Sequence, residues 1–431
     1  MCARSSQCMV LGILLLAMPP SLVAQQTVPN PQFRDSDLAA NNRPAAWRLS
    51  GGSGRWVDQD RLEVTGNGTE ASSNYWLCEE LAFDPARLYR FEMVARRATG
   101  SGGCAVSGPT FANRDHNQLT SEWKTVGHVF RVPDDVKAGA IRVGQWYSEG
   151  SHQFDSTRIV PVLPVHAVFG EVILGQDEAI RDGRYRFRGT FAHPGSNYHR
   201  TLARTTTGFN SNRWTFSTGS EVVYRFHVPG CRFSNGRIAL NVNHFVSGAC
   251  RAEVSRDGKN WRPAALQRKL GSANVSLVQT LFPTETLHLR LRAEGDSSFQ
   301  VDRIEFDGEL EGDAPDATGR TEYVDIEKMQ GDLAIDQLLL RDQPDGVGSR
   351  LEMTLHNRTA NSTSARMVGT VSGENQPPVS LDSIEMKLGP NESKPLVIPL
   401  TADRPGRHEL VMGIAGQDPN SGSIRVRVVF S

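Results

Sequence analysis

The sequence predicts an all-β chain of successive sandwich domains, on three observations. Segments at Val222 to Val228, Arg237 to Phe245, Leu287 to Arg292, Leu351 to Leu355 and Ile424 to Phe430 alternate apolar and polar residues with period two, as strands with one wet face do. Turn clusters lie between such segments, among them Gly51-Gly52-Ser53-Gly54, Gly100 to Gly103, Arg256 to Asn260 and Gly416 to Gly422, spaced as in sandwiches or barrels rather than βαβ units. Composition agrees, since 38% hydrophobic residues with 40 glycines and 23 prolines supply packed cores but more punctuation than a helical chain carries. Only Asp325 to Leu340 fits neither period and leaves helix and strand in competition.

A chain of 431 residues implies about three domains. With 47 basic and 48 acidic residues the net charge is -1, so no global field draws the protein to nucleic acid or anionic lipid. Arg4, the apolar run Met9 to Met18, Pro19-Pro20 and Ser21 to Ala24 read as a secretory signal peptide over residues 1–24, because about ten apolar residues are too few to span a bilayer. Its removal leaves no membrane span and places the protein in a secreted or periplasmic compartment.

Export changes how the cysteines read. Cys78 with Cys104 and Cys231 with Cys250 form two sequence-local couples. In an oxidising compartment each would close a loop of roughly 20 to 30 residues and contribute about 3 kcal/mol as a disulfide. No Cys-x-x-Cys motif offers a zinc ribbon or redox site. Two boundaries follow from composition. Ile159 to Val165 holds two prolines, which suit a stiff extended connection. Asp307 to Asp316 holds five acids and no base, the composition of a solvated linker. The expected domains are 27–162, 165–310 and 318–431.

Particular motifs point to known families. Asn30-Pro31-Gln32-Phe33, Trp47, Tyr89-Arg90-Phe91 and Phe154-Asp155 occur in an order that resembles carbohydrate-binding jelly rolls of the galactose-binding-like class. In the second segment Val254-Ser255-Arg256-Asp257-Gly258-Lys259-Asn260-Trp261, with Val301-Asp302-Arg303-Ile304 after it, resembles the hairpin and final strand of discoidin-type domains. Asp257-Gly258 is a tight-turn signal, and Trp261 is expected to plug the sandwich edge. The third segment, with Leu351 to Thr359, Leu388-Gly389-Pro390-Asn391 and Pro405-Gly406-Arg407, resembles immunoglobulin-like accessory modules of secreted glycan-active proteins. The galactose-binding-like resemblance implies a structural calcium, for which Asp35 with Asp155 and Glu178 with Asp302 stand in suitable positions.

A sugar presents C–H faces that stack on aromatic rings and hydroxyls that need convergent polar partners. Tyr75-Trp76 and Trp146-Tyr147 each break alternation, so one member of each couple should face away from the core. In the second segment Tyr198, His199, Arg213 and Trp214 fall in polar, aromatic loops, and Asn241 with Asn243 alternates against Leu240 and Val242 as a polar strand face. Asn-x-Ser/Thr sequons begin at Asn67, Asn274, Asn357, Asn361 and Asn391 and matter only where the source glycosylates. No Gly-x-Ser-x-Gly, His-Glu-x-x-His or phosphate loop occurs. The expected protein is a non-catalytic polysaccharide binder that needs no cofactor beyond that ion. The alternatives are an adhesion or matrix protein with a protein partner at the cell surface and a jelly-roll lyase or hydrolase, the lyase using Tyr198, His199 and Arg200 on a uronate.

Overall fold

The computed structural model describes residues 28–37, 43–191, 197–328, 333–342, 349–373, 377–400, 408–414 and 425–430. The signal segment 1–24, Pro194 to Ser196, Pro405 to Arg407 and the Gly416 to Gly422 turn lie outside them. Among the described residues the chain is all β, with only two short 3-10 turns, at Glu70–Ser72 and Gln279–Leu281. The ambiguous stretch resolves as strands Thr321–Lys328 and Leu333–Asp342.

Sheets, rather than linkers, run between the sequence segments. In the first segment the Arg61–Asn67 strand brings Leu62 and Val64, and Phe91, Met93 and Phe154 from neighbouring strands join them. Trp76, Cys78, Ile141 and Val143 come from the opposite sheet into the same buried core. Each sheet then continues into a different neighbour. The Glu149–Phe169 strand pairs first with Leu88–Arg97 and then, from Val162 to His166, with Thr321–Lys328 of the third segment. The other sheet continues through a short parallel pairing, Phe209 beside Ala112 and Asn210 beside Asn113, into the second segment. There two long strands, Arg232–Ser255 and Thr286–Glu311, pair antiparallel from end to end and form the frame.

Two stretches expected as connections are therefore strand. Pro161 and Pro164 sit inside Glu149–Phe169 where that strand changes partners. The acidic run begins within Thr286–Glu311, and its carboxylates face arginines rather than water alone. Asp307 accepts from Arg188 at 2.8 and 3.0 Å and from Arg237 at 3.3 Å, and Glu311 lies 3.2 Å from Arg232. Composition reads these acids as solvated because their partners lie on other strands.

Where the three segments meet, Arg90 donates from Nε to Asp325 at 2.7 Å, with both side chains almost fully buried, and also to the Tyr323 carbonyl at 3.3 Å. Tyr198 stacks on His166, 6.1 Å between centroids, and meets Tyr323 edge-on. Removing one partner of such a pair leaves a buried uncompensated charge. Asp325→Ala is therefore expected to cost about 3 kcal/mol of stability, read as a lowered denaturant midpoint of the full chain. An unchanged midpoint would contradict it.

The disulfide expectation fails on register. The four cysteines of these two couples are buried. On the Ala138–Trp146 strand Cys78 lies opposite Ile141 and Cys104 opposite Trp146, on opposite flanks. Five residues of strand separate the two levels by roughly 16 Å, against a Cα spacing of about 5.5 Å in a disulfide. Cys250 pairs with Ala293, whereas Cys231 precedes the Arg232–Glu311 pair at the far end of the same ladder. Burial pushes the Cys104 and Cys250 thiols up to about 12. Alkylation in denaturant without reductant should label all four, and recovery of a Cys78–Cys104 or Cys231–Cys250 cross-linked peptide would refute this.

Candidate functional site

Strand alternation selects the site. On the Ala138–Trp146 strand Ile141 and Val143 point into the core, so Arg142, Gly144 and Trp146 occupy the outer face. Tyr75 lies directly opposite Gly144 on the adjacent strand and shares that face, while Trp76 turns inward and donates to the Glu63 carbonyl at 3.0 Å. A Cβ at residue 144 would come within 2.6 Å of the Tyr75 ring, so glycine lets that ring lie down on the sheet between Arg142 and Trp146. Tyr75 and Trp146 meet edge-to-face with centroids 6.5 Å apart, and Trp146 donates from Nε1 to the Tyr75 hydroxyl. The Arg142 guanidinium lies 4.9 Å from the Tyr75 centroid and 5.3 Å from that of Trp146.

The same face continues across the junction. Val106 stands opposite Gly144 and also opposite Asp115, which puts Asp115 and Asn113 on the outer side of the Ala112–His116 strand. The parallel pairing then aligns Asn113 with Asn210, and the following turn aligns Asn210 with Arg213. Hydrogen bonds follow this path. Arg142 donates to Asn113 at 2.8 Å, Asn113 to Asn210 at 3.0 Å, and Ser211 through its hydroxyl to Asn210 at 2.9 Å. Arg213 reaches Asp115 only at 3.9 Å. The result is a patch of aromatic faces beside convergent amide, carboxylate and guanidinium groups, the rings from the first segment and the polar groups from both.

Three buried atoms in this patch have no hydrogen-bond partner: Arg142 Nε, Arg213 Nε and Asp115 Oδ1. Burial raises the Asp115 carboxyl above its ordinary value, against the opposing pull of Ser211, Arg213 and Arg142. Burial likewise lowers the Arg142 guanidinium. A carboxyl whose folded pKa is raised contributes stability fully below its ordinary value near 3.8 and loses it as pH rises through the folded pKa. Asp115→Asn should therefore be more stable than the parent at pH 7, with the gain vanishing near pH 3. Thermal unfolding at both values checks this, and a variant less stable at pH 7 would contradict it.

Of the residues expected to bind ligand, the fold brings together Tyr75, Trp146 and Arg213. Tyr147 is 50% exposed beside them, in a left-handed turn conformation. Trp214, fully buried, donates to the Tyr224 hydroxyl at 3.0 Å and packs with Phe191 and Phe209 in the same core that Trp76 enters. Tyr198 and His199 are built into the junction rather than displayed on a loop. His199 is buried against Phe187 and Phe191 with Nε2 3.2 Å from Asp177, and burial pushes Tyr198 up to about 12. Arg200 is held by Glu178 at 2.5 and 2.7 Å. None of the three is placed as the lyase reading requires. Asn241 joins a ladder with Asp302 at 2.7 Å and Ser272 at 2.8 Å, and Asn243 is exposed at a bulge. Trp261 lies half-buried under Arg290, 4.2 Å from its centroid.

The calcium couples fare differently. Glu178 is buried and filled by Arg200, the Tyr185 hydroxyl at 2.6 Å and the Gly175 amide at 2.7 Å, so a guanidinium occupies the place expected for a cation. Asp302 lies on another strand, four residues along from Phe306, the residue whose neighbour Phe187 pairs with Glu178. This couple does not fit the ion. Asp35 sits in a turn held by the Asn30 side chain, and Asp155 at a bulge opposite Leu88–Arg97. Among the described residues no three His, Cys, Asp or Glu side chains gather as a metal site.

Sequence reasoning missed Arg142, Asn113 and Asp115. The alternation Arg142-Val143-Gly144-Gln145-Trp146 signals the first, but only the cross-strand register shows what the others face.

No family model matches the chain, and no curated protein matches it. Solved structures give distant similarities. The tandem CBM22-1-CBM22-2 domain of Paenibacillus barcinonensis Xyn10C is 9% identical, with 66% of this chain and 98% of that one covered and a TM-score of 0.23. A GH2 β-galacturonidase from Eisenbergiella tayi is 11% identical over 50% of this chain and 36% of that one, with a TM-score of 0.18. A Bacteroides uniformis β-glucuronidase is 7% identical over 51% and 26%, with a TM-score of 0.17. The chain spans about a third or less of the length of these two enzymes. None is similar enough to carry an activity over.

Proposed function

We propose that this is a secreted, non-catalytic protein that holds polysaccharide on the outer face carrying Tyr75 and Trp146. The observation behind the reading is that two half-buried aromatic rings lie next to Arg142, Asn113, Asn210 and Arg213, the pairing of stacking surface and hydroxyl partners that a sugar ring needs. Each ring contributes stacking on the order of 1 kcal/mol beyond its buried area. The protein-binding alternative rests on the exposed apolar side chains Val246, Leu266 and Leu270.

Retention of the chain on a panel of insoluble and immobilised polysaccharides, with released sugar assayed in the same tubes, tests this. Retention without release is expected, with Trp146→Ala and Tyr75→Ala each weakening it about tenfold and Trp123→Ala, a control just before the Lys124–Arg131 strand of the opposite sheet, leaving it unchanged. Loss of retention on adding chelator would favour calcium at Asp35 and Asp155. No retention on any polymer would overturn the reading in favour of protein adhesion, and release of sugar would overturn the non-catalytic claim.

A further inference from the structure

We infer that the patch is selective for sugar residues bearing a negative charge, a uronate carboxylate or a sulfate ester, seated against Arg142 and Arg213 while the ring lies on Trp146 and Tyr75. This rests on the glycan-binding reading above and adds the class of sugar.

The charges on this face are unequal. The patch itself combines Arg142, Arg213 and Asp115 with the neutral Tyr75, Trp146, Asn113, Asn210 and Ser211, and the exposed Arg48 lies on the same face two strands away, opposite Leu77. Several buried or half-buried arginines elsewhere in the fold are matched to a carboxylate at close range, Arg90 with Asp325 at 2.7 Å, Arg200 with Glu178 at 2.5 Å and Arg251 with Glu294 at 2.6 Å, whereas Arg96 rests on the neutral Gln153 amide. Arg142 belongs with the unmatched arginines. Among the described residues it makes no ion pair, and its one hydrogen bond goes to a neutral amide. Arg213 faces Asp115 at the outer limit of an ion pair. Both guanidiniums keep an unpartnered Nε.

Taking a guanidinium out of water without a close anion is unfavourable, and the planar fork suits a carboxylate or sulfate better than any other partner. Asp115 attracts Arg142 only at longer range and makes no hydrogen bond or ion pair with it among the described residues. An anionic substituent supplied by the ligand would compensate the pair, and sugar hydroxyls would donate to the unmatched Asp115 Oδ1. Since Arg142 comes from the first segment and Arg213 from the second, the charged subsite exists only while the Asn113–Asn210 pairing holds the sheet continuous.

The test compares retention of the full chain on polygalacturonate, dextran sulfate, unsulfated dextran and neutral xylan, across a salt series. The expected result is tighter binding to one or both acidic polymers than to the neutral ones, weakening as salt rises. Arg142→Gln and Arg213→Gln should each lower acidic-polymer affinity about tenfold and flatten its salt dependence, while any neutral-polymer retention stays within twofold. Arg186→Gln, on a distant strand, controls for general charge, and unchanged melting of each variant controls for folding. Arg142→Lys, which keeps the charge without the fork, should recover only part of the loss. Preference for polygalacturonate over dextran sulfate assigns a carboxylate, and the reverse a sulfate. Equal binding of neutral and acidic polymers, lost in Trp146→Ala but untouched in the two Gln variants, overturns this inference and leaves glycan binding standing. Failure to retain any polymer overturns both.

Discussion

The two-residue parallel pairing of Ala112-Asn113 with Phe209-Asn210 is the contact on which the candidate site depends. It fixes which residues of two sequence-distant segments share a face, because a shift of one residue along a strand sends every side chain to the other side of a sheet. With the register as it stands, Phe209 and Trp214 fall to the core and Asn210 and Arg213 to the outer face beside Asn113. One slip would bury the polar set and expose the tryptophan. The Ser211 hydroxyl accepts from the Asp115 amide at 2.8 Å and its own amide donates to the Asn113 carbonyl at 2.8 Å, which tie the turn to the first segment.

The junction of three segments shows the same economy of polar contacts. Arg90 with Asp325, Arg200 with Glu178 and His199 with Asp177 are each paired at close range within packed surroundings. Such groups hold the chain in place, with only the His199 Nδ1 among them left without a hydrogen-bond partner. The outer patch is different in kind. The Arg142 guanidinium lies over two rings, Arg213 donates to the Asn212 amide oxygen, and three unmatched atoms are clustered there.

The sequence carried the fold class and part of the site, for physical reasons that differ by residue. Strand alternation is local, so the strands and the outward turn of one residue of Tyr75-Trp76 were legible, whereas Trp146 and Tyr147 both lie outside the core. Which member of Tyr75-Trp76 turned outward was not legible, since that depends on the phase of neighbours such as Val143 and Gly144. Arg213 was legible as part of a polar loop, whereas Trp214 beside it was misassigned because an aromatic in such a loop looks the same whether it fills a core or faces water. The cysteines were misread because nearness in sequence says little about register, and Glu178 because its partner Arg200 comes from a later loop. Composition read Asp307 to Asp316 as linker, although arginines on two neighbouring strands pair with Asp307 and Glu311 in its first part.

The most direct measurement of the central claim is a crystal structure of the chain with a short acidic oligosaccharide, galacturonate trimer or a sulfated equivalent. The account predicts a sugar ring over Trp146 and Tyr75 with its charged group within hydrogen-bond distance of Arg142 and Arg213. A sugar bound elsewhere, against Trp123 and Arg96 or along the Asn241–Asp302 ladder, with the Tyr75–Trp146 face left empty, would contradict it.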